Sequence, residues 1–277
     1  MGKELTFREV QLGAYEILKV IARICDEHGW KYFLTYGSLI GAVRHNGIIP
    51  WDDDIDLMMP RPDYEALKKF FIENADELFP LKLFDSSVVE KYPHMISRIS
   101  DIRYHLIFEN EVDYDIGLFV DIYPLDGVGN NIDTANRLIA RTKRLASLCF
   151  LTSRKSYAAD NTESRLKMLL KLPAFVWAKL MGNKHYINRL AAYSRSYRYG
   201  DSKYVACLVW PAGKKYGRFR DVYKKELFET QKHQFEDSEF NIPVGYDEFL
   251  TTTYGDYMTP PDEAGKKTHH TYTTYER

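Results

Sequence analysis

Residues Gly37 to Met59 constrain this chain more than any other stretch. They read Gly-Ser-Leu-Ile-Gly-Ala-Val-Arg-His-Asn-Gly-Ile-Ile-Pro-Trp-Asp-Asp-Asp-Ile-Asp-Leu-Met-Met. Four carboxylates, Asp52, Asp53, Asp54 and Asp56, fall within five positions and run directly into the apolar Leu57, Met58 and Met59. Like charges this close raise one another's pKa unless a cation or dense hydrogen bonding compensates. If Ile55 and Leu57 face the core of a strand, Asp54 and Asp56 share the opposite face, about 7 Å apart along the strand, and can share divalent cations.

A solvated loop or a helix cap is the ordinary explanation for a run of aspartates. Here the apolar strand that follows argues against it. A calcium loop of the EF-hand type places Asp52, Asp54 and Asp56 correctly but needs glycine and glutamate where the chain has Leu57 and Asp63. Upstream, Gly37 and Ser38 form a glycine turn that opens a helix, where backbone N–H groups attract phosphate oxygens. Phosphate binding followed by metal binding predicts a phosphoryl displacement, with charge neutralised by Mg2+ or Mn2+ on Asp54 and Asp56.

Three segments together carry a family likeness: Tyr36-Gly37-Ser38-Leu39-Ile40-Gly41-Ala42-Val43-Arg44-His45, then Pro50-Trp51-Asp52-Asp53-Asp54-Ile55-Asp56, then Arg61-Pro62-Asp63-Tyr64. Their order resembles the signature of the LicD family, bacterial phosphorylcholine transferases whose animal relatives are fukutin and fukutin-related protein. Short C-terminal segments such as Tyr254-Gly255-Asp256-Tyr257 resemble the same family. The resemblance implies a nucleotidyltransferase-like fold, a CDP-linked donor such as CDP-choline, and a cell-surface glycan acceptor, teichoic acid or similar, carried on lipid at the cytoplasmic membrane face. It also implies that Asp121 is the third carboxylate of the metal site. Asp121 interrupts the apolar run Gly117-Leu118-Phe119-Val120-Asp121-Ile122-Tyr123; buried there, it needs a positive partner. The competing reading is an edge-strand aspartate bonded to a neighbour.

On this reading the catalytic and metal residues are Asp54, Asp56 and Asp121, with Asp121 also the acceptor of the hydroxyl proton. Gly37 and Ser38 hold donor phosphate. Asp53 supports the donor or the cation, and Arg44 is either a bidentate phosphate partner or a structural ion pair. Changing the cargo to that of another CDP-alcohol such as CDP-ribitol, or using an NTP, keeps the enzyme. A non-catalytic module that recognises choline-bearing glycans through tyrosines is the alternative of a different class.

Hydrophobic periodicity predicts an α+β protein with a mixed or antiparallel sheet and flanking helices. The expected division is a catalytic core over 1–130, a basic helical region over 131–200, and a segment over 201–277 that packs back on the core. Thr6 and Glu9 form a capping box for a helix over 6–28 that stops at Gly29. Strands are expected at 31–35, 81–84, 94–99, 104–108 and 117–123, and a helix begins at Pro62. Asp126, ahead of a glycine, reads as a turn residue. The region 131–199 reads as helices broken near 160–161 and 182–183, and the tail beyond 221 as short strands and turns.

A net charge of −1 gives no global attraction to nucleic acid. Between Arg137 and Arg189, however, twelve Lys or Arg residues face two acids, interleaved with Leu169, Leu172, Phe175, Val176 and Trp177. Such a helix is either a solvated face or a contact with anionic membrane through Lys167, Lys171 and Lys179. Three widely spaced cysteines exclude a disulfide scaffold and a cysteine zinc site. The N-terminus lacks a signal-peptide core, which predicts a cytoplasmic location. His269 and His270 read as solvent-exposed rather than as ligands.

Overall fold

A computed structural model describes residues 2–90, 92–157, 165–210, 221–263, 265–266 and 272–277, with backbone alone for 165–171. Helix α1 (Phe7–His28) has the expected start and stop. Thr6 accepts from the Glu9 backbone N–H while the Glu9 carboxylate accepts from the Thr6 N–H at 2.7 Å. At the other end Gly29 takes φ 68°, a left-handed conformation that glycine adopts without strain. The buried face is the one periodicity picks out, including Val10, Ala14, Ile17, Leu18, Ile21, Ile24 and Cys25.

Next come β1 (Phe33–Leu34), α2 (Tyr36–His45), β2 (Asp56–Pro60), α3 (Arg61–Glu73), β3 (Leu81–Phe84), β4 (Ser97–Asp101), β5 (Tyr104–Phe108) and β6 (Leu118–Gly127). The main sheet runs β1-β2-β6-β4-β3. It is mixed: β2 lies parallel to β6 and the other neighbours are antiparallel. β6 occupies the middle, and all of its residues are buried. A run such as Phe119-Val120-Asp121-Ile122 suits a strand covered on both faces, so Asp121 is a central-strand residue and not an edge one.

β6 extends beyond the predicted end, and this corrects the reading of Asp126. That residue is not in a turn; it is fully buried within the strand. Its two oxygens accept from Arg61 Nε at 2.7 Å and Nη2 at 3.1 Å, a bidentate pair supplied by α3. The Asp-Gly signal is local, whereas the guanidinium that permits burial comes from a distant helix.

The helical region consists of α4 (Ile132–Ser153), α5 (Arg165–Met181) and α6 (Asn183–Ser194). Gly182 separates the last two with φ 78°. The other expected break, near 160–161, lies outside the described residues. These helices have small clusters of their own, Ala135, Leu138 and Ile139 with Ala206 and Leu208, and Cys149 with Ala178, Tyr186 and Leu190. Strand β7 (Tyr204–Ala206) then pairs with the far end of β6, and β8 (Tyr223–Lys224) with β7.

A hairpin of β9 (Thr230–Phe235) and β10 (Ser238–Pro243) leads to α7 (Tyr246–Tyr254), and β11 (Tyr272–Glu276) pairs with β5. Phe228, Phe235, Phe240 and Phe249 join the main core, where Phe228 stacks on Phe33 at 5.3 Å. Helix α7 was not expected. Its Thr251-Thr252-Thr253 run has weak helix propensity, and burial of Phe249, Leu250 and Thr253 overrides it. All three cysteines are buried free thiols, and among the described residues no helix is long and apolar enough to cross a membrane.

Candidate active site

Three side chains stand abreast across the middle of the sheet. In register, Asp56 of β2 lies beside Asp121 of β6, and Asp121 beside Arg98 of β4. Directly opposed residues on neighbouring strands project from the same face, so the pairing alone brings these groups together. Arg98 Nε donates to Asp121 Oδ1 at 2.5 Å and Nη2 to Oδ2 at 3.3 Å, while Nη1 donates to the Tyr114 hydroxyl at 2.6 Å. This is the positive partner that a buried Asp121 requires.

Carboxylate oxygens of Asp54, Asp56 and Asp121 lie within 4.8 Å of one another, and those of Asp52, Asp53 and Asp54 form a second group with the same spread. Asp54 belongs to both. The strand begins at Asp56, so Asp54 sits in the preceding loop and not on one strand face with Asp56 as the period of two predicts. Tertiary contacts fold that loop inward. Gln11 of α1 donates to the carbonyls of Ile49 at 3.2 Å and Asp52 at 2.8 Å, and the Tyr272 hydroxyl of β11 donates to the Asp53 carbonyl at 3.0 Å. Glu236, in the β9–β10 turn, accepts from the Ile48 N–H at 3.0 Å.

Burial pushes the Asp56 carboxyl well above the usual carboxylate range. The charges of Asp54, Asp121 and Asp52 act in the same direction, and the Tyr123 hydroxyl opposes them. One Asp56 oxygen, Oδ1, is buried with no hydrogen-bond partner. An acceptor buried without a donor is costly, and a bound cation removes that cost. All ligand atoms in this donor set are oxygens, which suits Mg2+ or Mn2+.

The Ser38 hydroxyl accepts from the Asp56 N–H at 2.8 Å, tying the start of α2 to the start of β2. At Gly37 a methyl group would run into Asp52 Oδ2, so glycine is what lets the aspartate loop close on the helix start. Thr35 occupies the N-cap without a side-chain cap bond. Arg44 lies at the other end of α2, away from the triad. It donates to the Tyr257 carbonyl at 2.6 Å, next to Trp51 and within the field of Asp52.

Sequence reasoning missed the polar chain behind Asp121. Tyr114, held by Arg98, contacts His94 Nε2 at 3.2 Å, which in turn lies 3.3 Å from Glu111 Oε2. Burial and the Arg98 charge hold His94 below its usual pKa. Burial works against ionisation of Glu111, but the His94 N–H together with the charges of Arg98 and Arg154 brings it down to about 2. The available signal was a cation and an imidazole in a strand-like run, His94-Met95-Ile96-Ser97-Arg98.

The profile described as LicD/FKTN/FKRP, nucleotidyltransferase domain, matches residues 29–144. A lipopolysaccharide cholinephosphotransferase from Haemophilus influenzae is 31% identical over 277 residues, 99% of each chain. A ribitol 5-phosphate transferase from Homo sapiens is 45% identical over 42 residues, 15% of this chain and 8% of that one. Mannosyltransferase regulator 4 of Saccharomyces cerevisiae is 24% identical over 115 residues, 42% of this chain and 10% of its own. The profile spans the strands that bear Asp56, Arg98 and Asp121, and the Haemophilus relative aligns nearly end to end, so the chain belongs to the LicD family of transferases.

Proposed function

We propose that this enzyme transfers phosphocholine from CDP-choline to a hydroxyl group of a cell-surface glycan precursor and releases CMP. The observation that carries the reading is the Asp54–Asp56–Asp121 cluster with its unpartnered Asp56 oxygen. The choline phosphate cargo and the glycan acceptor are supported by the name of the Haemophilus relative, and a nucleotide-linked donor by the nucleotidyltransferase domain of the matching family. Asp54, Asp56 and Asp121 would hold Mg2+ or Mn2+. When bound, such an ion neutralises phosphate charge.

The chain's own groups supply alignment and proton transfer. Gly37 and Ser38, at the start of α2, meet donor phosphate with backbone N–H groups at the positive end of the helix. The acceptor oxygen attacks the phosphorus of the choline phosphate, the bond to the CMP oxygen breaks, and CMP leaves with that electron pair. Asp121 takes the acceptor proton. Arg98 uses one lone pair on each Asp121 oxygen, and each oxygen keeps another. Arg98 thus fixes the carboxylate without blocking it.

The acceptor in this proposal is lipid-linked, teichoic acid or lipopolysaccharide precursor, met by the enzyme at the cytoplasmic membrane face. Incubating the protein with Mg2+ and CDP-choline, CDP-ribitol or CTP and measuring CMP and pyrophosphate tests the donor. CMP from CDP-choline, lost on chelation, is expected. CMP only from CDP-ribitol would change the cargo, pyrophosphate from CTP would make the reaction nucleotidyl transfer, and choline binding that needs neither cation nor Asp54 and Asp56 would make the protein a binding module.

A further inference from the structure

We infer that the cavity beside Asp121 seats the cationic headgroup of the donor, a quaternary alkylammonium, and leaves the nucleoside outside; this rests on the transfer reaction proposed above. The cavity has a volume of about 200 Å³ and is walled by the rings of Phe108, Tyr123, Phe150 and Trp210, with Asp121 and Glu111 among its other walls. Size speaks first. An apolar cavity of about 150 Å³ accommodates benzene, so this one takes about eight non-hydrogen atoms; choline has about seven, phosphocholine about eleven and cytidine about seventeen, so the headgroup enters fully and its phosphate reaches out toward the mouth.

Chemistry narrows the occupant further. A quaternary ammonium has no N–H to donate, and it is held by ring faces and a nearby anion. Trp210 meets Phe150 at 6.0 Å and 80° and Tyr123 at 6.4 Å and 68°, so the three rings form a corner whose faces point in different directions. Phe150 already carries a cation on one face, the Arg154 guanidinium at 4.9 Å. Glu111 supplies an anion on this wall, with its pKa at about 2. A polyol of similar size would lose hydrogen bonds against these rings, a cost a trimethylammonium group does not meet.

The rest of the lining suits the other end of a zwitterion. Arg98, Arg154 and Asn110 also line this cavity, and Asn110 Nδ2 is a buried donor without a protein partner. Its Oδ1 is occupied by the Ser156 N–H and hydroxyl, each at 3.0 Å, which fixes the amide so that Nδ2 is the group left to donate. A phosphate oxygen is the acceptor that such a donor requires, and the two guanidinium groups add positive charge beside it. The four charged groups of the lining, two positive and two negative, match a ligand that carries one charge of each sign.

Calorimetric titration of the full chain with phosphocholine and with ribitol 5-phosphate tests the site. Phosphocholine should bind at least about tenfold more tightly, tetramethylammonium should displace it, and Glu111→Gln and Phe150→Leu should each weaken it about tenfold to thirtyfold. Equal affinity for the two phosphates, or no competition by tetramethylammonium with the wild type, would overturn the inference even if a variant fails to fold. CDP-choline turnover with phosphocholine binding indifferent to both substitutions removes the headgroup site and leaves the reaction standing. Phosphocholine binding that depends on both residues, without CDP-choline turnover, removes the reaction and leaves the site.

Discussion

Two residues in one row of the sheet illustrate opposite uses of charge. Asp56 is buried among like charges with one oxygen unpartnered, whereas Asp121 is buried in a bidentate clamp. Asp54→Asn and Asp56→Asn should therefore leave the cation-free protein at least as stable as the wild type, because each removes repulsion. The same changes should cut turnover by at least about 100-fold and abolish Mg2+-dependent thermal stabilisation. Arg98→Met should do the reverse at the level of folding. Leaving Asp121 without its partner costs about 3–5 kcal/mol, read as a lower melting temperature without cation. Near-normal turnover in both aspartate variants would remove them from the catalytic site.

At the scale of elements, α5 presents its apolar side outward. Leu172, Val176 and Leu180 recur at helical spacing and are 39%, 48% and 77% exposed, with Trp177 beside them at 58%. The excess of basic residues in the sequence over 137–189 makes an anionic lipid surface the proposed partner, though not through all the residues the sequence suggests. Lys179 Nζ donates to the carbonyls of Thr152 at 2.9 Å and Arg154 at 2.5 Å, closing the end of α4, so it serves the fold. The side chains of Lys167 and Lys171 lie outside the described residues. Trp177→Asp with Leu180→Asp should reduce co-sedimentation with phosphatidylglycerol vesicles about tenfold or more while a soluble acceptor mimic is still used. Wild-type protein that sediments no better with anionic than with neutral vesicles at low salt would end this reading. The elements also show why local signals went astray: periodicity located α1 and the Gly37-Ser38 pair the start of α2, whereas α7 depends on an aromatic core assembled from distant residues.

For the whole molecule, the buried His94–Glu111 pair makes stability fall in acid. His94 has a depressed pKa, so the unfolded chain gains its proton first as pH drops below the usual histidine value of 6.5. Glu111 is lowered from 4.5 to about 2, so its stabilisation is complete above 4.5 and is lost between there and about 2. That second loss amounts to about 3 kcal/mol, and Glu111→Gln should remove it from denaturant midpoints measured across the same window. An unchanged acid limb in the variant would assign the loss to other carboxylates. What the sequence by itself determined was local: the capped α1, the glycine at the start of α2, and an aspartate run crowded enough to need a cation or dense hydrogen bonding. The three carboxylates, among them Asp121, could be listed from one dimension, but Arg98, Gln11, Tyr272 and Glu236 could not be assigned to them. Those contacts depend on β2, β6 and β4 lying side by side and on the C-terminal strands returning to the aspartate loop. Strand register and long-range burial decide which charges meet, and neither is a property of neighbouring residues.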